Sequence, residues 1–268
     1  MAKVAIIGGR GKMGRMFARA FRKQGHTVLV ASRSTKLTPA QAAAKGDLVI
    51  ITVPIRDTVN VIKKIGKHVR KGAILTDFTS VKVRPCKAMK KYSKASVVGS
   101  HPVFGPSVGL KNQHFVLCPV RGSHAWYKQA LKKMGLRVST MTPEAHDRHM
   151  AIVQCLSHLS NFSFAHAMKQ LKYNPNKEVL TSPIYRVKLG IVRRALDTDA
   201  DLYTDIETEN PYAKQVAKAF KKATDTLEQA IREEDKKGIK RIILQCQKHF
   251  GKLKQDMREK INRLAGFL

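Results

Sequence analysis

Lys3-Val-Ala-Ile-Ile-Gly-Gly-Arg-Gly-Lys-Met-Gly-Arg-Met-Phe-Ala18 sets a short apolar run ahead of Gly9-x-Gly11-x-x-Gly14, with a helix-like pattern behind it. Strand, tight turn and helix N-terminus in that order form the phosphate-cradling start of a dinucleotide-binding βαβ unit. In this reading Gly9 allows the sharp turn and Gly11 lets the backbone approach a pyrophosphate. Gly14 lets the helix pack closely on the strand. Lys12 and Met13 open that helix, whose dipole and free N–H groups face the anion.

Working outward, apolar runs recur near Val28–Ala31, Leu48–Val53, Ala73–Leu75, Val97–Gly99, Phe115–Leu117 and Leu136–Val138. Helical patterns separate several of them, at Gly11–Gln24, Thr58–Val69 and Ser123–Met134. Such alternation predicts an α/β Rossmann-type, doubly wound and mostly parallel sheet with helices on both faces. The pattern changes at Thr142-Pro143-Glu144, which reads as an N-cap, a first helical residue and an acid at the positive end of a helix. From there to Leu268 the patterns are helical, punctuated by Pro175, Pro183 and Pro211. The expected organisation is a dinucleotide-binding domain over 1–142 and an all-α helical domain over 143–268. No regulatory domain is expected after the last helix.

The second strand ends Leu29-Val-Ala-Ser-Arg-Ser34, without the carboxylate that holds the ribose 2′-hydroxyl in NAD-binding units. Ser32, Arg33 and Ser34 instead offer hydroxyls and a cation, which suit a 2′-phosphate. NADP is therefore the expected cofactor and NAD the alternative. Arg33 also reads as one more surface arginine in a basic chain.

That basicity is pronounced: 51 Lys and Arg stand against 19 Asp and Glu, a net charge of +32. The cations are spread over the chain rather than gathered in one arm, so nucleic acid is expected to bind only nonspecifically, through phosphate attraction. Cys86, Cys118, Cys155 and Cys246 lack metal-ligand spacing, so no metal site is expected and a reduced, cytoplasmic chain is the simpler reading. No apolar run approaches the roughly 20 residues of a membrane span, and no signal-peptide core is seen at the N-terminus.

Several further segments carry a resemblance. They are Asp47-Leu-Val-Ile-Ile-Thr-Val-Pro54, Thr76-Asp-Phe-Thr-Ser-Val-Lys82, Gly99-Ser-His-Pro-Val-Phe-Gly-Pro106, His146-Asp-Arg-His-Met-Ala-Ile-Val-Gln-Cys-Leu-Ser-His158, Ser182-Pro-Ile-Tyr-Arg186 and Leu202-Tyr-Thr-Asp-Ile206. With the glycine motif they span most of the chain, and together the chain resembles the prephenate dehydrogenase family, closest to its archaeal and enteric branches. The glycine motif and the Val53-Pro54 segment, counted here with the cofactor-binding residues, are shared with other dehydrogenases. The His-Pro-x-Phe-Gly-Pro and His-Asp segments are far more specific.

The resemblance implies oxidative decarboxylation of prephenate to 4-hydroxyphenylpyruvate in tyrosine biosynthesis, by a homodimer. It assigns His101 to polarising the substrate hydroxyl and accepting its proton, with Ser80 nearby. It places His158 near the substrate side chain and gives Arg194 the ring carboxylate. Arg186, eight residues earlier, is read as lying on a similar helix face, and Tyr203 as a ring wall or hydroxyl. Arg193 adjoins Arg194, and a one-residue slip would exchange them. Ser107 stands where some bacterial members carry a glutamate, so a gating ion pair built on that residue is not expected. The readings kept open are arogenate as substrate and, from another class, a basic nucleic-acid-binding protein on a dehydrogenase fold.

Overall fold

The computed structural model describes residues 1–175, 177, 180–251 and 255–266. Contacts divide the chain into two units: 1–151 with 204–211, and 152–203 with 212–268.

The first unit runs β1 (Lys3–Ile7), α1 (Lys12–Lys23), β2 (Thr27–Ala31), α2 (Pro39–Lys45), β3 (Leu48–Ile51), α3 (Ile55–Ile65), β4 (Ile74–Asp77), α4 (Val83–Tyr92), β5 (Ser96–Pro102), β6 (His114–Arg121), α5 (Ala125–Lys133), β7 (Arg137–Thr140) and α6 (Pro143–Met150). The sheet order is β2-β1-β3-β4-β5-β6-β7. All neighbours are parallel except β5 and β6. Strand side chains alternate between faces, so β1 to β6 feed two cores, whereas β7 at the edge adds only Val138 to one of them. Val4, Ile6, Leu48 and Ile50 pack with Phe17 and Phe21 of α1 and with Tyr127 and Leu131 of α5. Ala5, Ile7, Val49 and Ile51 pack with residues of α2, α3 and α4, including Ala43, Ile62 and Met89. Burial on both faces explains why these strands read as unbroken apolar runs.

Each expected strand is present, with ends shifted by a few residues. The helices α2 and α4 were not read from the sequence. Helix α6 begins as its sequence predicts: the Thr142 hydroxyl accepts from the Ala145 N–H (3.1 Å) and Pro143 occupies the first turn. By contact, however, the first unit runs past residue 142 to Ala151 and takes in 204–211.

A π-helical segment, Ala151–Leu156, follows α6 and leads into α7 (Ser157–Gln170). Then come α8 (Pro183–Leu196), α9 (Ala200–Glu209), α10 (Ala213–Arg232), α11 (Lys236–Phe250) and α12 (Gln255–Gly266). Within the second unit α8 packs against α7 and α12, and α10 against α11. Among the described residues no helix is long and apolar enough to cross a membrane.

Candidate active site

β2 lies on one side of β1 and β3 on the other, so the chain reverses its winding there. Open α/β sheets bind ligands in the crevice at that switch, beyond the carboxyl ends of the strands. The glycine loop occupies this place. The left-handed turn falls on Gly8 (φ 80°) rather than on Gly9, to which the sequence assigned it. A Cβ on Gly9 would stand 2.9 Å from the Ile6 carbonyl oxygen and from Val30 Cγ1, so close packing is what excludes a side chain there. A Cβ on Gly14 would stand 2.6 Å from Gly9 Cα. Gly11 is the N-cap of α1, no side chain closes that N-terminus, and the first turn, with Lys12 and Met13, carries no acid. The helix thus presents N–H groups and its positive end where an anion fits.

Ser32, Arg33 and Ser34 follow β2 directly. Arg10, which the sequence reading passed over, joins them: its Nη1 donates to Ser34 Oγ (2.8 Å), which lies 3.4 Å from Ser32 Oγ. Arg33 is exposed. The end of the second strand therefore carries two arginines and two hydroxyls and no carboxylate. Across the loop, Val53 Cγ1 would touch a Cβ on Gly8 at 3.0 Å, and Pro54 takes the N-cap position of α3.

The ends of β4 and β5 hold a buried polar network. Asp77, the last residue of β4, pairs with Lys82, and both side chains are fully buried. Asp77 Oδ2 also accepts from the Thr79 N–H (3.0 Å), and Thr79 Oγ1 donates to the Val81 carbonyl (2.7 Å). Lys82 Nζ donates to the Ser100 carbonyl (2.6 Å). These bonds pin the turn that carries half-buried Ser80.

His101 lies in β5 and is 2% exposed. Its Nδ1 is 2.8 Å from His146 Nε2, and His146 Nδ1 is 2.8 Å from Asp147 Oδ1. Asp147 in turn accepts from two main-chain donors, Lys82 N–H on Oδ1 (2.6 Å) and Val83 N–H on Oδ2 (2.9 Å). Asn210 Nδ2 holds the Asp147 carbonyl (2.9 Å). Burial, reinforced by His146 and by the Lys82 charge, drives His101 well below the ordinary histidine range. Burial also lowers His146, against the opposing pull of Asp147. Both rings are therefore neutral near pH 7. His146, Asp147, Lys82 and Asp77 had no role in the sequence reading, although each lies in a segment quoted for the resemblance.

In the second unit the rings of His158 on α7 and Tyr203 on α9 meet edge to face, with centroids 4.4 Å apart, and Phe162 closes the cluster at 5.2 Å from Tyr203. Arg186 and Arg194 both lie on α8. Eight residues leave them about 80° apart around the axis, and their surroundings differ accordingly. Arg186 is half-buried, with an Nε that is buried and without a hydrogen-bond partner, whereas Arg194 is exposed. Arg193 is engaged with Asp197 at 3.0 Å. A cavity of about 650 Å³ lined by Phe164, Met168, Tyr173 and Tyr185 includes none of the expected site residues.

Comparison with known proteins agrees with this architecture. Residues 17–139 match the family model described as prephenate dehydrogenase, nucleotide-binding domain, and 142–245 match prephenate dehydrogenase, dimerization domain. A probable arogenate/prephenate dehydrogenase of Methanocaldococcus jannaschii is 34% identical, over 92% of this chain and 61% of its own length. The T-protein of Haemophilus influenzae is 30% identical, over 88% of this chain and 64% of its own. The chain thus spans somewhat under two thirds of these curated relatives. Among solved structures, a prephenate dehydrogenase from A. aeolicus superposes with a TM-score of 0.74 at 21% identity, covering 93% of this chain and 98% of that one. The arogenate dehydrogenase of Synechocystis gives 0.67 at 18%, covering 91% and 96%. These two likenesses concern the fold.

Proposed function

The chain belongs to the prephenate dehydrogenase family, and from that premise we propose that it catalyses the oxidative decarboxylation of prephenate with NADP. The observation that carries the proposal is a buried, neutral histidine in β5 of the same sheet whose switch point bears the glycine cradle.

The cradle fits a dinucleotide. Side chains are excluded at Gly9 and Gly14 by contacts under 3 Å, and the α1 N-terminus is uncapped. Gly11 and the N–H groups of Lys12 and Met13 would hold the pyrophosphate. Arg10, Ser32, Arg33 and Ser34 would hold a 2′-phosphate, which the absence of a carboxylate admits. Held there, a nicotinamide would supply the hydride acceptor for the substrate carbon that bears the hydroxyl.

The chain's own residues manage the proton and the carboxylates. His101 takes the hydroxyl proton as the carbon becomes a ketone. The ring carboxylate then leaves as CO2, its bonding electrons aromatise the ring, and the proton returns to the ring oxygen. The proton is thus borrowed and returned, with none released. Ser80, on its pinned turn, positions the hydroxyl and the nicotinamide. Arg194 binds the ring carboxylate as a planar fork, and Arg186 offers an unsatisfied N–H to a second carboxylate. His158 and Tyr203 supply an aromatic wall. The name of the 34% identical relative gives arogenate beside prephenate, so arogenate, in which an amino group replaces the keto group, is the second reading. Comparing kcat/KM for the two substrates separates these readings.

We also propose that the protein is a homodimer formed through the second unit, whose family match is to a dimerization domain and whose helices expose Ile184, Ile191, Ile231, Ile243 and Leu244. The proposed domain division remains 1–142 and 143–268, near the junction of the two family matches.

A further inference from the structure

The hydrogen bonds around His101 assign more than its place. Asp147 offers only acceptor oxygens to its neighbours, and both already accept main-chain N–H groups. His146 Nδ1, 2.8 Å from Asp147 Oδ1, must therefore carry the proton of that bond. A neutral imidazole carries one proton, so His146 Nε2 is an acceptor. His101 Nδ1, 2.8 Å from it, must then be a donor. The remaining nitrogen of His101, Nε2, is left with a lone pair. The chain of three residues has one consistent proton arrangement, and it ends in a base.

We propose that His146, oriented by Asp147, is a positioning residue that fixes His101 in the Nδ1–H tautomer and so leaves Nε2 as the atom that accepts the substrate proton. The inference rests on the reading of His101 as the proton acceptor. Asp147 is anchored at both oxygens by the start of α4 and at its carbonyl by Asn210, so the arrangement is set by main chain rather than by mobile side chains. Asp147 is the charged group in contact with the pair; beyond it stand Lys82, whose ammonium sits on the Ser100 carbonyl next to His101, and its partner Asp77. A protonated His101 or His146 would face that ammonium, which favours the neutral pair.

The test uses the full chain with 15N-labelled histidine, the His101 signals being identified by their loss in His101→Asn. The expected spectrum has a protonated Nδ1 and a bare Nε2 on His101, before any cofactor or substrate is added. His146→Leu removes the acceptor and should lose this tautomer preference, lowering kcat by roughly 10²–10³ with little change in KM, as displaced tautomers do in other histidine-based sites. His146→Gln keeps one acceptor for His101 and one donor for Asp147 and should recover kcat to within about tenfold of the parent. A wild-type His101 protonated on Nε2, or a folded His146→Leu enzyme with parental kcat, would overturn the proposal. So would His146→Gln as impaired as His146→Leu while both keep the parental tautomer. His101→Asn with near-normal kcat would instead remove His101 as proton acceptor, a failure that the spectrum of the parent chain tells apart.

Discussion

At the residue scale the proposed reaction turns on His101, because burial keeps its ring neutral near pH 7, the state a proton acceptor needs. Asparagine cannot take that proton. His101→Asn should lower kcat by roughly 10²–10⁴ while leaving the Kd for NADP close to the parent value. A drop confined to cofactor binding would move the chemistry elsewhere. Cofactor choice likewise rests on single side chains after β2. A carboxylate introduced by Ser32→Asp would stand beside Arg10, Arg33 and Ser34 and repel a 2′-phosphate. The ratio of kcat/KM for NADP to that for NAD should fall by roughly tenfold or more, about 1.4 kcal/mol or above. An unchanged ratio would detach the loop from phosphate recognition. His101 was legible because it lies in a distinctive family motif. Its partner His146 was not, since a contact across 45 residues of sequence leaves no local pattern. Arg10 was hidden inside the glycine motif as a variable position, and only the fold brings it to Ser34.

At the element scale the glycine turn decides whether α1 can dock. Gly14→Ala would place a methyl 2.6 Å from Gly9 Cα, where backbone rather than a flexible side chain must yield. A destabilisation of roughly 1–3 kcal/mol is expected in denaturant unfolding, together with a raised KM for the cofactor. A variant with parental stability and KM would show that the loop relaxes freely. The central strands were legible because both faces of the sheet are covered there, which leaves continuous apolar runs such as Leu48–Ile51; β7 at the edge is mostly exposed and was read from the short run Leu136–Val138. Helix α2 was not, being seven residues long and mostly alanine, although its Thr38–Gln41 capping box is a local signal. Helix α4 opens with Val83-Arg-Pro and buries Pro85 and Cys86, a pattern that reads as a loop. The turn at Gly8 was assigned to its neighbour because the motif's spacing begins at Gly9, whereas the positive φ depends on where β1 ends.

At the scale of the whole molecule, the two buried histidines tie stability to pH. Their folded pKa values lie below the ordinary 6.5, so below that pH the unfolded chain binds protons that the folded one refuses. Stability should therefore hold above pH 6.5 and fall as pH drops beneath it, by up to about 1.4 kcal/mol per pH unit for each histidine. This window lies above that of Asp47, whose lowered carboxyl matters only near and below 3.8. Thermal melts across the range should show the slope, and it should shallow in His101→Asn; an equal slope in both would clear His101 of the effect. The +32 charge was plain in the sequence, but its spread over the chain gave no direction to a function. The proposed reaction is read out by the absorbance of the reduced nicotinamide with purified protein and prephenate, with NADP and NAD in parallel. Rapid reduction of NADP in preference to NAD is expected. No reduction of either cofactor, with prephenate or with arogenate, would contradict it.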